Sequence, residues 1–304
     1  MIRLKNLSYY YGKQQASHGR QPVAALNNIS ATVGPGIFLL LGENGAGKTT
    51  LLRNIAGILL PSVGTCEVNG KSTALRLPSE LDATYYLGCD STTMFRTVGE
   101  MARRHAPFYP RFSAERLSDN LKTFGIKPDD KIKDMSLGTR HKAMLAYSLS
   151  LNVGNLLLDE PANGLDIESK ERLVRMIARC VEEESTVIVS THTISDLSTL
   201  YDGLMVMQGG SLLLSSTSDD ILRTFSFVKT SRPIPEALYS EMEVAKYHSI
   251  LPADEAESMG MQSEDVDCKL LYHALHSPVA TDILDRLNGA PGALQSFNSN
   301  PQSK

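Results

Sequence analysis

The residues Gly42-Glu43-Asn44-Gly45-Ala46-Gly47-Lys48-Thr49 have the types and spacing of a loop that holds phosphate. Its glycines let successive backbone N–H groups turn inward around anionic oxygens, and the helix expected from Thr49 adds its positive dipole end. Lys48 would reach the β- and γ-phosphates of a nucleotide, and the Thr49 hydroxyl would ligate Mg²⁺. Thr50 belongs to the same nucleotide-binding set. The bare pattern arises by accident in about one chain in a hundred of this length.

A second group of chemically capable residues lies further along the chain. The run Val153-Gly154-Asn155-Leu156-Leu157-Leu158-Asp159-Glu160-Pro161 is an apolar strand that ends on two carboxylates. Strands of a parallel sheet deliver their C-terminal residues to the crevice where ligands sit. Asp159 is placed for the shell of Mg²⁺, and Glu160 to accept a proton from an attacking water. Another β-branched run, Thr186-Val187-Ile188-Val189-Ser190-Thr191-His192, ends on a histidine, and Asn163-Gly164-Leu165-Asp166 follows the acidic pair.

These groups need a scaffold that brings them to one edge. Gly36–Leu41 reads as a buried strand before the phosphate loop, and Thr49–Ile55 as the helix after it. Leu173, Ile177 and Val181 recur every four residues and predict a helix over about 168–184. Residues about 97–152 have helical spacing. Strands with crossover helices imply an α/β fold whose parallel sheet is covered on both faces. The composition changes near residue 215, where an acidic extension, 215–304, begins. It shows helical spacing over 219–225 and 282–287, and its end is expected to be frayed.

Composition narrows the functions. The chain has 304 residues, with 30 basic and 34 acidic side chains and a net charge of −4. That balance argues against nucleic acid as a partner. No apolar run approaches the ~20 residues of a spanning helix, and the first residues lack the apolar core of a secretory signal. The expected location is therefore cytoplasmic, with any membrane work done through a partner. Cys66, Cys89, Cys180 and Cys268 show no metal-binding spacing, and His273 and His276 share a helical face without a zinc signature.

Taken together, these residues resemble the ATP-binding subunit of an ABC transporter over residues 1–214. Besides the phosphate loop, the resemblance rests on Met135-Ser136-Leu137-Gly138-Thr139 at the place of the family's L-S-G-G-Q signature. It rests also on Asp159-Glu160, Gly164-Leu165-Asp166 and His192. It implies a P-loop NTPase cassette with a parallel-sheet core, an antiparallel β subdomain, a helical signature subdomain and, here, a small C-terminal appendage. Tyr11 is similar to the aromatic that stacks on adenine. Ser136 and Gly138 would contact ATP held by a second ATP-binding subunit, in a homo- or heterodimer. Glu160 would be the general base, His192 the switch that senses the γ-phosphate, and Asp166 a link between the two sites. Leu137 and Thr139 depart from the signature. Tyr85-Tyr86-Leu87-Gly88-Cys89-Asp90 stands where the family carries a glutamine, with Asp90 or Cys89 as its substitute and Asp90 the expected metal-site residue. Thr97-Val98-Gly99-Glu100-Met101 with Phe108-Tyr109-Pro110 resembles bacterial exporter subunits whose integral membrane subunit is a separate chain. The chain would then sit at the inner face of the cell membrane through that subunit.

Two other functions fit a cassette of this kind. A non-transport ABC ATPase would carry either two cassettes or a long coiled coil between Lys48 and Ser136, and neither is present in the sequence. A regulatory nucleotide-binding module would have lost turnover, whereas Lys48, Asp159, Glu160 and His192 are intact. The expected function is ATP-driven export. No phosphate-contacting motif lies in 215–304, so nucleotide binding is expected to survive its deletion.

Overall fold

The computed structural model describes residues 1–12, 23–75, 83–88, 93–194 and 201–289. It opens with two antiparallel strands, β1 (Ile2–Tyr11) and β2 (Val23–Val33), and the central strand β3 (Gly36–Leu41) leads into helix α1 (Lys48–Ile55). β4 (Val63–Val68), β5 (Lys71–Ser72) and β6 (Thr84–Leu87) follow. Three helices then form a helical region: α2 (Val98–Arg104), α3 (Ala114–Thr123) and α4 (Leu137–Ser148). β7 (Asn155–Asp159), α5 (Ile167–Cys180), β8 (Thr186–Thr191), β9 (Gly203–Gln208) and β10 (Ser211–Thr217) complete the cassette-like part. The remainder carries α6 (Ser218–Thr224), β11 (Phe225–Thr230), β12 (Tyr239–Glu243), β13 (Lys246–Pro252), α7 (Ala253–Ser258), α8 (Cys268–Leu275) and α9 (Ala280–Gly289).

The main sheet has the order β10-β9-β3-β8-β7-β6. Its strands are parallel except at β10, which returns antiparallel to β9. Near-continuous apolar strands are what a sheet buried on both faces requires. Ile37, Leu39 and Leu41 of β3 enter one core with Leu156 and Leu158 of β7 and Val187 and Val189 of β8. Phe38 and Leu40 enter the opposite core with Leu157 and Ile188. The antiparallel sheet β2-β1-β4-β5 and α1 cover this second core. Each fully buried Leu, Ile or Phe contributes about 1.5–3 kcal/mol, so the sheet is a stiff platform for the residues at its C-terminal edge.

Helix starts follow from local chemistry. Thr97, Ser113, Ser136 and Asp166 cap α2, α3, α4 and α5, each side chain accepting a backbone N–H from the first turn. The helix expected over 168–184 stops at Cys180, because Val181 is extended. Three consecutive glutamates, 182–184, would sit unfavourably at a helix C-terminus, and Glu182 instead turns back, its N–H donating to Ser185 Oγ at 2.7 Å.

Two features of the extension were not foreseen. β10 runs through residue 214 to Thr217, whose hydroxyl caps α6. The extension also holds a three-stranded antiparallel sheet, β11-β13-β12. Its core is continuous with that of the main sheet: Ile221, Phe225, Ile250, Leu271 and Ile283 belong to one buried cluster with Leu204 and Val206. His273 pairs with Glu241 at 2.9 Å, and the Nδ1 of His276 donates to the Tyr272 carbonyl at 2.7 Å. Residues 13–22, Cys89, Asp90 and the chain end after 289 lie outside the described residues. Among the described residues no helix is long and apolar enough to cross a membrane.

Candidate active site

The phosphate loop joins the end of β3 to α1 and is wedged between neighbouring backbones. A Cβ on Gly42 would lie 2.6 Å from the Met207 carbonyl oxygen. Gly47, at φ 103°, would bring a Cβ to 2.6 Å from the Ala25 carbonyl. Only glycine fits either position without displacing backbone. The loop forms one wall of a cavity of about 440 Å³ lined by Tyr11, Glu43, Asn44, Gly45, Gly47, Lys48, Thr49, Thr50, Glu160 and His192, together with Ala25 and Asn163. Gly42 and Ala46 are buried behind that wall.

Lys48 is buried, and its ammonium donates to the carbonyls of Gly42 at 2.6 Å and Glu43 at 3.2 Å. It also lies 3.3 Å from Glu160 Oε1. That carboxylate oxygen is buried and makes no hydrogen bond within the protein, while Oε2 accepts from His192 Nδ1 at 2.8 Å. Glu160 is held at φ 52°, a left-handed conformation that a non-glycine residue keeps only when its surroundings enforce it. Here the enforcing group is Ser190, whose hydroxyl and carbonyl both accept the Glu160 N–H, at 3.0 and 3.2 Å.

Asp159 is almost fully buried but completely partnered. Oδ1 accepts from Ser190 Oγ at 2.6 Å, and Oδ2 accepts from Thr49 Oγ1 at 2.7 Å and Tyr86 OH at 3.0 Å. A hydroxyl and a carboxylate meeting beside a phosphate loop are hard oxygen donors, the set that suits Mg²⁺ rather than a softer metal. Tyr11 stands at the cavity mouth with its ring partly exposed and its hydroxyl 3.2 Å from Thr50 Oγ1.

The signature residues lie elsewhere on the surface. Ser136 and Gly138 do not line the cavity of their own chain; they stand at the exposed start of α4, and a Cβ on Gly138 would be 3.8 Å from the Gly164 carbonyl. Thr139, where the signature has glutamine, holds Ser136 through its N–H at 3.1 Å and its hydroxyl at 2.8 Å. Asp166 accepts from Lys142 at 2.8 Å. That ammonium and the Ser169 N–H hold its carboxyl well below the usual range. His141 Nε2 donates to the Pro161 carbonyl at 2.8 Å, tying α4 to the residue after Glu160.

The family pattern described as ABC transporter matches residues 26–163. An uncharacterized ABC transporter ATP-binding protein of Methanocaldococcus jannaschii is 32% identical over 229 residues, 75% of this chain and 82% of that protein. This chain belongs to the ABC transporter ATP-binding proteins. The ABC ATP-binding protein NatA of Bacillus subtilis is 29% identical over 64% of this chain and 82% of its own length. Among solved structures, the ATP-binding subunit of an ABC transporter superposes with a TM-score of 0.63 at 24% identity, covering 73% of this chain and 92% of that one. A dimeric ATP-binding cassette bound to ADP and Pi gives 0.60 at 21% identity, covering 71% and 98%. These two likenesses are of fold.

As an ABC ATP-binding subunit the chain is an ATP hydrolase of a transporter. Two residues at the cassette's centre were missed from sequence as participants. Ser190 lay inside a strand read only for its terminal histidine, and Tyr86 inside a segment read only for its missing glutamine. The available signal was the change from the apolar run Val187–Val189 to the hydroxyls Ser190 and Thr191 at the strand's end, beside the terminal histidine. The expected metal-site residue Asp90 and its alternative Cys89 lie outside the described residues.

Proposed function

We propose that this subunit powers export through a separate integral membrane subunit, working as a head-to-tail dimer in which each phosphate loop faces the partner's signature. The observation that carries the hydrolytic half of this reading is Glu160, fixed between Lys48 and His192 at the cavity wall. The Lys48 ammonium lies against Glu160 at 3.3 Å. An entering γ-phosphate competes for that ammonium and leaves the Glu160 carboxylate to accept a proton from water. His192 keeps Oε2 occupied through Nδ1, so Oε1 is the oxygen that takes the proton, and Nε2 donates to a phosphate oxygen only when the ring carries both protons. Bound Mg²⁺, held by Thr49 and Asp159, would offset charge on the β- and γ-phosphates.

The dimer is supported by the separation within one chain. Ser136 and Gly138 form an exposed helix N-terminus, an anion site with no phosphate loop of its own opposite it. Tyr11, with its partly exposed ring, would carry the adenine. The cassette is read as 1–214, with 215–304 an appendage fused to its core. Export is supported by the resemblance of the 97–110 segment to exporter subunits. A groove of about 370 Å³ beside that segment is lined by Thr93, Met94, Phe95, Arg96, Lys131, Ile132, Lys133 and Arg140. Met94 is 92% exposed there. An apolar floor with a cationic rim suits an acidic, amphipathic cytoplasmic segment of the membrane subunit.

The test is capture from membranes in mild detergent. The parent chain should bring down an integral membrane transporter subunit, and Lys131→Glu with Lys133→Glu should lose it while keeping ATPase activity. Equal capture by both proteins would remove the groove from the reading. Capture of ribosomes or DNA in place of a membrane protein would overturn the transport assignment.

A further inference from the structure

We infer that Tyr86 is a positioning residue for the Asp159 carboxylate and that it couples this carboxylate to Arg53 on the last turn of α1. The inference rests on the reading of Asp159 as a metal ligand.

Three side chains from three elements form one directional chain. Arg53 Nε donates to the Tyr86 hydroxyl at 3.2 Å, and that hydroxyl donates to Asp159 Oδ2 at 3.0 Å. A phenol carries a single proton. With Arg53 supplying a donor from one side, that proton is committed to the carboxylate. The guanidinium also lies 5.7 Å from the centroid of the Tyr86 ring, a cation–π distance that fixes the ring as well as its hydroxyl.

Strand register makes the reach possible. Tyr86 pairs with Leu157, two residues before Asp159 on the neighbouring parallel strand. Two residues of strand span about 6.6 Å, close to the length of a tyrosine side chain. Leu157 and Asp159 share a face of the sheet because side chains alternate, and Tyr86 packs against the core on that face. A phenylalanine here would fill the same space and stop short of the carboxylate.

Thr49 serves the same oxygen of Asp159 but is itself an expected metal ligand. Tyr86 has no second duty at the site. Among the described residues at the end of β6, it is the one whose side chain reaches Asp159. The segment that carries a glutamine in the family thus sends a tyrosine hydroxyl to the acidic pair in this chain. Groups behind a metal ligand orient it, and their loss typically weakens metal binding about 10–100-fold.

The experiment is Mn²⁺ binding to the full chain with a non-hydrolysable ATP analogue, followed by electron paramagnetic resonance. Nucleotide affinity without metal and the thermal midpoint are measured alongside. Tyr86→Phe should weaken Mn²⁺ about tenfold and leave metal-free nucleotide affinity unchanged. Arg53→Met should weaken it less, and the double variant should equal Tyr86→Phe alone. Asp159→Asn is the control. If it loses Mn²⁺ while Tyr86→Phe binds as tightly as the parent or tighter, the positioning role is overturned and the metal reading stands. If Asp159→Asn binds Mn²⁺ like the parent, the metal reading falls and the inference with it. Should Tyr86→Phe fail to fold, Arg53→Met decides by the same measurement, with unchanged Mn²⁺ affinity counting against the coupling.

Discussion

Removing the Ser190 hydroxyl separates stability from chemistry in a way the geometry makes quantitative. Ser190 is fully buried, donates to Asp159 Oδ1 at 2.6 Å and accepts the Glu160 N–H at 3.0 Å. Ser190→Ala leaves a nearly buried carboxylate oxygen without a donor. A hydrogen bond to a charged group contributes about 1.5–3 kcal/mol, and the void left by one oxygen atom is a smaller loss. The Glu160 N–H keeps its 3.2 Å bond to the Ser190 carbonyl, so the left-handed turn survives with a weaker anchor. At roughly 1.6 °C per kcal/mol for a chain of 304 residues, the thermal midpoint should fall by roughly 2–5 °C. Turnover should fall further than stability explains, because Glu160 is the residue whose backbone the hydroxyl steadies. The assays are calorimetry and phosphate release at saturating ATP, both well below the melting range. A midpoint within about 1 °C of the parent, where a fall of at least roughly 2 °C is expected, would show that the hydroxyl does not carry the carboxylate.

Three further perturbations test other parts of the molecule. Gly47→Ala must place a Cβ 2.6 Å from the Ala25 carbonyl at φ 103°; it should abolish nucleotide binding by equilibrium dialysis and lower stability by about 1–3 kcal/mol or more. Deleting 215–304 cuts β10 before its end and uncovers Leu204 and Val206. The truncated chain should therefore melt well below the parent or aggregate, whereas the sequence reading expects nucleotide binding to survive the deletion; a parent-like urea midpoint with ATP affinity intact would support that reading over this one. Burial pushes His105 and His141 below the ordinary imidazole range. The unfolded chain then binds protons that the folded chain refuses, so stability is full above about pH 6.5 and declines as pH falls below it. His141→Gln, which retains a donor for the Pro161 carbonyl, should flatten that decline in thermal midpoints taken between pH 8 and 5.5.

What was legible in the sequence divides along physical lines. Contiguous features were readable: the phosphate loop, the apolar strand ending on Asp159-Glu160 and the strand ending on His192 all carry their meaning in neighbouring residues. Features that depend on register were not. Asp159 and Ser190 face each other because β7 and β8 pair Leu158 with Val189 and Asp159 with Ser190, a correspondence that neither strand encodes alone. Tyr86 needs the β6–β7 register and the placement of α1 as well. The extension sheet was obscured for another reason. β12 is mostly exposed and short, and β11 is buried on both faces at its start, so neither displays clean alternation. The boundary near 214 reflected a change in composition, while the apolar residues that cross it, Leu214, Ile221 and Phe225, keep one core on both sides.

The most direct test of the account is phosphate release by the parent chain and by Glu160→Gln with Mg²⁺ and saturating ATP, together with ATP affinity for each. Glutamine preserves the volume and the acceptor for His192 Nδ1, and removes only the charge facing Lys48 and the capacity to take a proton. A positioned base contributes about 10²–10⁴-fold to rate, so turnover should fall into that range while ATP binds at least as tightly as to the parent. A variant that hydrolyses ATP at the parent rate would contradict the assignment of Glu160 as the base.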